Sequence, residues 1–232
     1  MTHTIAGEPV SSPNNGKTLR ILQLYPKDMN IYGDWGNPGD TFPDDVDIII
    51  GGGGQDSGQT VIQEDLHAIG AKLKKNAEEG MPMLVICGLY QLFGKEFRTH
   101  EGETLKGINI FDAYTVGGNE RLIGNIVEDS QEFGTIVGFE NHSGLTYLGA
   151  GCEPLATVTK GVGNNSTDHH EGARVHNVVG TYLHGSLLPK NPKISDYLIE
   201  AAAQRKYGEF TPEKIDDSMV EKARASAMKR PR

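Results

Sequence analysis

Three short apolar segments and one long periodic segment most strongly limit the folds open to this chain. The strand candidates are LRILQLYP, DVDIIIGGGG and MLVI, and MLVI is apolar throughout, as parallel strands buried on both faces tend to be. Between the second and third candidates, apolar residues recur with the 3.6-residue period of a helix; they are Ile62, Leu66, Ile69 and Leu73. The order strand–helix–strand predicts a βαβ unit and hence an α/β fold.

The pattern changes between about residue 106 and residue 183, where strand candidates follow one another between Gly, Asn and Asp turns. They are INIFDAYTV, LIGNIVE, TIVGFENH, LATVTK and VHNVVGTYLH. Two helices are predicted to follow, PKISDYLIEAAAQRKYG and TPEKIDDSMVEKARASAMKR. Residues 1–17 are polar and rich in Ser, Pro, Asn and Gly, which predicts a disordered tail before one domain over 18–232.

The connector between the first two strands fits this pattern poorly. It reads DMNIYGDWGNPGDTFP and shows no amphipathic helix, although neighbouring parallel strands need a crossover of about a dozen residues or more, which is usually helical. Either the two strands are not direct neighbours, or a segment is missing from the connector.

Charge and composition exclude several classes of protein. A net charge of −9 and a pI near 5.4 argue against a general nucleic-acid or anionic-membrane binder. Two cysteines are too few for a disulfide framework, and no apolar stretch approaches the ~18–20 residues of a membrane span. The N-terminus lacks the features of a secretory signal. We therefore expect a cytoplasmic protein without membrane insertion.

The stretch MPMLVICGLYQLFG (81–94) places Cys87 where an apolar run ends and a glycine follows. Such a junction can expose the thiol at the sheet edge, and the N–H groups of the next helix favour the thiolate and can stabilise an oxyanion. The alternative is a buried cysteine that packs at a strand end. Cys152, in the turn GAGCEPLA, has no such frame and is expected to be structural.

A catalytic cysteine needs a base, and two of the eight histidines are suitably placed. His142 in GFENHSG and His184 in VVGTYLHGS each follow a strand candidate shortly before a glycine, where α/β folds expose functional side chains. His184 is the better candidate because its strand is more apolar and so is expected to lie centrally, near Cys87. His169 and His170 lie in a polar loop, where solvent exposure is favoured over a metal site.

The run GGGGQD (51–56) is a second glycine cluster directly after a strand. It matches neither the phosphate loop GxxxxGK[ST] nor GxGxxG in its proper setting. Glycines let backbone amides approach a ligand closely, which suits one half of an oxyanion hole. A flexible turn is the alternative.

Together these segments resemble the class I glutamine amidotransferases. Their nucleophile motif G-x-C-x-G-x-Q corresponds here to ICGLYQ, where Cys87 and Gln91 match and Leu89 replaces the usual glycine. The likeness is to the cobyric-acid-synthase-like branch and its GatD-type glutaminase subunits, which work with MurT-like Mur ligases on peptidoglycan precursors. It is carried by LYPKDMNIYGDWGN, GGGGQDSGQ, CGLYQLFG, RLIGNI, GFENHSGLTYLG and GTYLHGSLLPKNP.

The resemblance implies a flavodoxin-like α/β fold, with a mostly parallel central sheet flanked by helices and with additional antiparallel strands. It implies that Cys87 attacks the side-chain amide of L-glutamine and that His184 is the base. An oxyanion hole would be formed by Gly88 and an amide of the 51–54 loop, Gly53. Arg121 would contact the substrate glutamine, with a surface ion pair as the alternative, and Gln91 would line the site.

Two departures from the family pattern matter. Many class I enzymes carry H-x-E, whose glutamate orients the histidine, but Ser186 stands at that position here. The resemblance implies that an aspartate of the MurT-like partner completes the triad. The connector is also shorter after Asn37 than in relatives, and we hypothesise that about 20 residues have been lost there.

The implied function is a glutaminase that supplies ammonia for amidation of the D-glutamate of lipid II. ATP and any metal would belong to the partner, which would also bind lipid II, and this chain would carry no cofactor or metal. The alternatives are an amidotransferase for corrinoid amidation of the cobyric acid type and a non-catalytic scaffold subunit.

Overall fold

The computed structural model describes residues 16–25, 39–54, 56–185 and 187–232. Most of the predicted tail (1–17) therefore lies outside the described residues. The same holds for connector residues 26–38, with Asn37 among them, and for Ser186.

The described residues form helices and strands that alternate only in the first part of the chain. The strands are β1 (Ile21–Leu24), β2 (Ile48–Gly51), β3 (Met83–Ile86), β4 (Glu96–Arg98), β5 (Thr104–Lys106), β6 (Ala113–Ser130), β7 (Gly134–Leu148), β8 (Ala156–Lys160), β9 (His170–Glu171), β10 (Ala173–Val175), β11 (Val178–Thr181) and β12 (Leu183–His184). The helices are α1 (Asp56–Glu78), α2 (Gly88–Phe93), α3 (Leu187–Lys190), α4 (Pro192–Tyr207) and α5 (Ser218–Lys229).

The first sheet has the strand order β1-β2-β3-β11-β10. The first four strands are mutually parallel and β10 is antiparallel to β11, which confirms the predicted mostly parallel central sheet. β1 pairs directly with β2, with Ile21 opposite Ile48. The idea that these two strands are not direct neighbours is therefore wrong. A missing connector segment stays a hypothesis.

The second sheet is mostly antiparallel, in the order β12-β7-β6-β4-β5; β8 also pairs with β6, and β9 pairs with β8. The sequence predicts two separate strands in INIFDAYTV and LIGNIVE, but the structure has one long strand there, β6. The glycine-rich segment between them does not end the strand, because the ladder with β7 continues past a register shift between Gly117 and Leu122. An irregularity of this kind bends a strand without breaking the sheet.

The last strand candidate, VHNVVGTYLH, also needs correction, since it is divided among β10, β11 and β12. A two-residue turn with positive φ at His176 joins β10 to β11. β12 then leaves the first sheet and pairs with β7, with His184 opposite Phe139. The chain thereby links both sheets just at His184.

Strand β3 is buried on both faces, as predicted for MLVI. Along β3, Met83 and Val85 pack into one apolar cluster and Leu84 packs into another on the opposite face. α1 covers the first cluster with Ile62, Leu66 and Leu73, which confirms its predicted apolar face. Among the described helices, none is long and apolar enough to cross a lipid bilayer.

Two adjacent residues of α1 test this packing. Ile62 is fully buried, whereas 60% of Val61 is exposed. We expect Ile62→Ala to lower the free energy of unfolding by about 2–5 kcal/mol through lost burial and a cavity. Val61→Ala should change it by no more than about 0.5 kcal/mol. Urea unfolding of both variants measures the difference, and equal effects would contradict the assigned face.

Candidate active site

Cys87 lies in the sharp turn between β3 and α2. Its backbone has φ 53° and ψ −108°, a sparsely populated conformation that the surroundings must hold. The N–H of Cys87 donates to the carbonyl oxygen of Thr181 at 2.8 Å, and its own carbonyl accepts from the N–H of Gln91 at 3.0 Å. The turn is therefore fixed on one side by β11 and on the other by α2.

Gly53 follows β2 and approaches the same point closely. A Cβ atom added to Gly53 would lie 2.7 Å from Cβ and 3.3 Å from Sγ of Cys87, and 3.0 Å from Cε1 of His184. These distances leave no room for a side chain. The structure thus brings together three of the predicted residues, each at the carboxyl end of its strand.

His184 is half-buried at the end of β12. Burial lowers the pKa of His184, and the positive charge of Arg121 lowers it further. Its Nε2 atom is buried and has no hydrogen-bond partner among the described residues. A neutral imidazole beside a thiol can accept the thiol proton, which is the chemistry that a nucleophilic cysteine needs.

Arg121 lies in β6, within the register shift between Gly117 and Leu122. Its side chain is exposed, and its Nε donates to Oδ1 of Asn141 at 2.7 Å. Among the ion pairs of the described residues none involves Arg121, so the alternative of a surface ion pair is not supported there. A guanidinium close enough to lower the pKa of His184 can bind a substrate carboxylate at this site.

Comparison with known proteins decides the family. A CobB/CobQ-like glutamine amidotransferase domain matches residues 18–192, which is about three quarters of the chain. The chain belongs to the CobB/CobQ-like glutamine amidotransferase family.

Two relatives show to which group within this family the chain belongs. It is 49% identical over 179 residues to the subunit GatD of the lipid II isoglutaminyl synthase (glutamine-hydrolyzing) of Staphylococcus aureus strain N315, covering 77% of this chain and 72% of that protein. It is 34% identical over 215 residues to the corresponding GatD subunit of Streptococcus pneumoniae strain R6, covering 82% and 83%. Within the amidotransferase family the chain therefore belongs with the GatD subunits.

A solved structure supports the fold. The crystal structure of a glutamine amidotransferase superposes with a TM-score of 0.53 at 20% identity, covering 69% of this chain and 81% of that one. The predicted class I amidotransferase fold is thus confirmed.

Gln91, predicted to line the glutamine site of this amidotransferase, is only 5% exposed. Its Oε1 accepts from Nε2 of Gln59 at 2.7 Å, and its Nε2 donates to the hydroxyl of Tyr182 at 3.1 Å. The structure therefore places Gln91 in a buried network directly behind the cysteine turn. A contact between Gln91 and substrate stays a prediction.

The rest of this network was missed by sequence reasoning. Beyond Gln91, the Tyr182 hydroxyl lies 2.6 Å from Oγ1 of Thr146, which lies 2.8 Å from Oγ1 of Thr115. The sequence does contain one indication of this network. Gln59 precedes Ile62 by three residues and therefore lies on the apolar face of α1. A polar residue on such a face needs a buried partner.

His142, the second candidate base, does not lie at an exposed strand end, because β7 continues beyond it to Leu148. The prediction that a strand ends before it is wrong. The imidazole is 3% exposed and stacks on Tyr182, with ring centroids 3.6 Å apart and planes at 5°. Its Nδ1 lies 2.7 Å from the carbonyl oxygen of Gly144. His142 is thus a core residue behind the site.

Sequence reasoning also missed three fully buried glutamates, Glu128, Glu140 and Glu171. Glu171 accepts hydrogen bonds from Oγ1 of Thr181 at 2.9 Å and from the N–H of Tyr182 at 2.6 Å. Burial raises the pKa of Glu171 to about 7 and that of Glu128 well above its usual range. Glu171 therefore holds the segment before His184, but among the described residues no carboxylate hydrogen-bonds to His184.

Cys152 is half-buried, and its thiol donates to the carbonyl oxygen of Asp112 at 3.2 Å. Burial raises the pKa of this thiol, which disfavours a reactive thiolate. In the described part of the chain, no group of three or more His, Cys, Asp or Glu side chains is arranged to hold a metal ion.

The buried His142 generates a prediction about pH. Burial lowers the pKa of His142 to about 4, so on acidification the unfolded chain takes up a proton that the native state excludes. This residue should cost about 2 kcal/mol of stability between pH 7 and pH 5. His142→Phe keeps the stacking but cannot titrate, so its unfolding free energy should fall less over that range. Parallel slopes for both proteins in urea unfolding would contradict the assignment.

Proposed function

We propose that this chain is the glutaminase subunit of a lipid II isoglutaminyl synthase and that its site releases ammonia from L-glutamine. One observation carries the proposal. Cys87, His184 and Gly53 meet at the carboxyl ends of adjacent elements, at distances that leave no room for a side chain on Gly53. The GatD relatives, both glutamine-hydrolyzing subunits, favour lipid II over a corrinoid as the molecule that is finally amidated.

In the first half-reaction, His184 takes the proton of the Cys87 thiol, and the sulfur attacks the side-chain amide carbon of glutamine. The negative charge on the carbonyl oxygen is stabilised by the N–H groups of Gly88 and Gly53. His184 then gives its proton to the leaving nitrogen. The C–N bond breaks, ammonia departs and a glutamyl thioester remains on Cys87.

In the second half-reaction, His184 removes a proton from a water molecule, which attacks the thioester carbon. The same N–H groups stabilise the second oxyanion. The C–S bond breaks, the sulfur regains the proton, and glutamate leaves. His184 thus acts first as base and then as acid in each half-reaction, because the proton that it takes from water returns to the sulfur.

Arg121 is proposed to bind the α-carboxylate of glutamine through its guanidinium. Its charge has a second effect, because it helps to lower the pKa of His184 and so keeps the base neutral before attack. Gln91 is proposed to form the floor of the substrate pocket, since it lies one helical turn after Cys87.

The third member of the triad is proposed to come from another chain. Ser186 stands where many class I enzymes have their orienting glutamate, and no described carboxylate hydrogen-bonds to His184. We propose that an aspartate of a MurT-like Mur ligase subunit orients this imidazole. This heterodimer would work on the cytoplasmic side of the membrane, where the ligase subunit binds ATP, any metal and lipid II. The ligase subunit then amidates the α-carboxyl of the D-glutamate residue, which becomes D-isoglutamine.

The two cysteines offer a matched test of the nucleophile. In the complex with the MurT-like subunit, Cys87→Ala should reduce ammonia release from glutamine by roughly 10³-fold or more. Cys152→Ala should retain activity within about twofold, because the thiol of Cys152 contacts the carbonyl oxygen of Asp112 and is no part of the proposed site. A coupled assay that measures ammonia release compares the two variants with the wild-type complex. Undiminished activity of Cys87→Ala would exclude it as nucleophile, and an inactive wild-type complex would favour the scaffold alternative.

A second prediction concerns Arg121. Arg121→Ala should raise KM for glutamine roughly 10- to 100-fold, the range expected for a lost hydrogen bond between charged groups. Because Arg121 lowers the pKa of His184, the acid limb of kcat/KM should also move to higher pH. Arg98→Ala, at an exposed arginine paired with Glu96, is the control and should change neither quantity. An unchanged KM in Arg121→Ala would refute the carboxylate contact.

A further inference from the structure

Gln59 connects two parts of the site that the sequence keeps 29 residues apart. It lies on α1 and is fully buried. Its Nε2 donates to the carbonyl oxygen of Gly88 at 3.0 Å and to Oε1 of Gln91 at 2.7 Å. Because a backbone carbonyl can only accept, the amide nitrogen of Gln59 must face α2.

The hydrogen bond from Gln59 to Gly88 joins two helices, and each helix contains or directly follows one half of the proposed oxyanion hole. α1 begins at Asp56, just after the glycine loop that contains Gly53. Gly88 is the first residue of α2, directly after Cys87. The Gln59 side chain therefore connects the helix that continues the Gly53 loop with the helix that carries the second N–H donor.

The far end of this connection is anchored as well. Gln91 passes the hydrogen-bond chain to the hydroxyl of Tyr182 at 3.1 Å, and Tyr182 bonds in turn to Thr146 of the second sheet. Every member is buried. Hydrogen bonds linked in a chain polarise and strengthen one another in a buried interior, so a displacement at one end is resisted along its length.

Stability alone does not explain a glutamine at this position. Oε1 of Gln59 is buried, and it has no hydrogen-bond partner among the described residues. An orphaned buried acceptor disfavours folding. Gln59 also occupies the apolar face of α1, next to Ile62.

We propose that Gln59 is a positioning residue for the glutaminase reaction: by bonding to the carbonyl oxygen of Gly88, it holds residue 88 and the Gly53 loop at the separation at which both N–H groups reach one oxyanion. This inference rests on the proposed function and deepens it. In this proposal Gln59 acts through the backbone of Gly88, to which its side-chain amide donates.

The test compares two glutamines of the same helix in the complex with the MurT-like subunit. Gln59→Met removes both hydrogen bonds at similar length, and Gln63→Met removes a bond to the carbonyl oxygen of Lys106 away from the site. Three quantities are measured: kcat, KM for glutamine, and the rate of Cys87 alkylation by iodoacetamide. Alkylation is a displacement at carbon that forms no oxyanion, so it reports on the thiol but not on the hole.

We expect Gln59→Met to lower kcat roughly 10- to 100-fold, below the effect of deleting an oxyanion donor outright. KM and the alkylation rate should stay within about twofold of wild type, and Gln63→Met should resemble wild type throughout. If Gln59→Met does not fold, Gln59→Asn, shorter by one methylene, replaces it with the same expectation for kcat.

Two results would overturn the inference while leaving the proposed function intact. One is a kcat of Gln59→Met, or of its replacement, equal to that of wild type. The other is a parallel loss of hydrolysis and alkylation, which would show that Gln59 merely supports the cysteine turn. A wild-type complex that does not hydrolyse glutamine would overturn both the function and the inference.

Discussion

The hydrogen bond from the N–H of Cys87 to the carbonyl oxygen of Thr181 is the contact on which the rest of the site depends. It joins the strand that presents the cysteine to the strand that leads into His184, at the centre of the parallel sheet. The strained backbone of Cys87 persists because β11 and α2 fix it from two sides. Because β3 and β11 are paired in register, the thiol and the imidazole meet at one edge of the sheet. A side chain at position 53 would collide with both, and Gly53 avoids this collision.

Charge is distributed unevenly around this contact. The half-buried His184 lies beside the thiol and feels the charge of Arg121, while the carboxylates of Glu128, Glu140 and Glu171 are fully buried. The cation and the burial both favour a neutral His184, which suits a base, yet neither orients its ring. That task requires a carboxylate on the far nitrogen, and in this account the partner subunit supplies it. Coupling glutaminase activity to the ligase in this way would limit ammonia release in its absence.

Residues that depend on local pattern were predictable from the sequence. The apolar run before Cys87, the face of α1 and the approach of His184 to Cys87 all follow from strand order and periodicity. Contacts set by tertiary packing were not. A turn-like glycine segment continues as one strand in β6, since pairing with β7 outweighs local turn preference, and the bonds of Gln59 join segments that no local pattern relates.

The most direct test of the account is rapid acid quenching of the complex during glutamine turnover, followed by mass spectrometry of its peptides. The account predicts a glutamyl adduct on the peptide 81–94, at Cys87, which forms before steady-state ammonia release and is absent without glutamine. The adduct should accumulate further where thioester hydrolysis is slowed. Ammonia release without any adduct on Cys87, or with an adduct on Cys152 instead, would contradict the central claim.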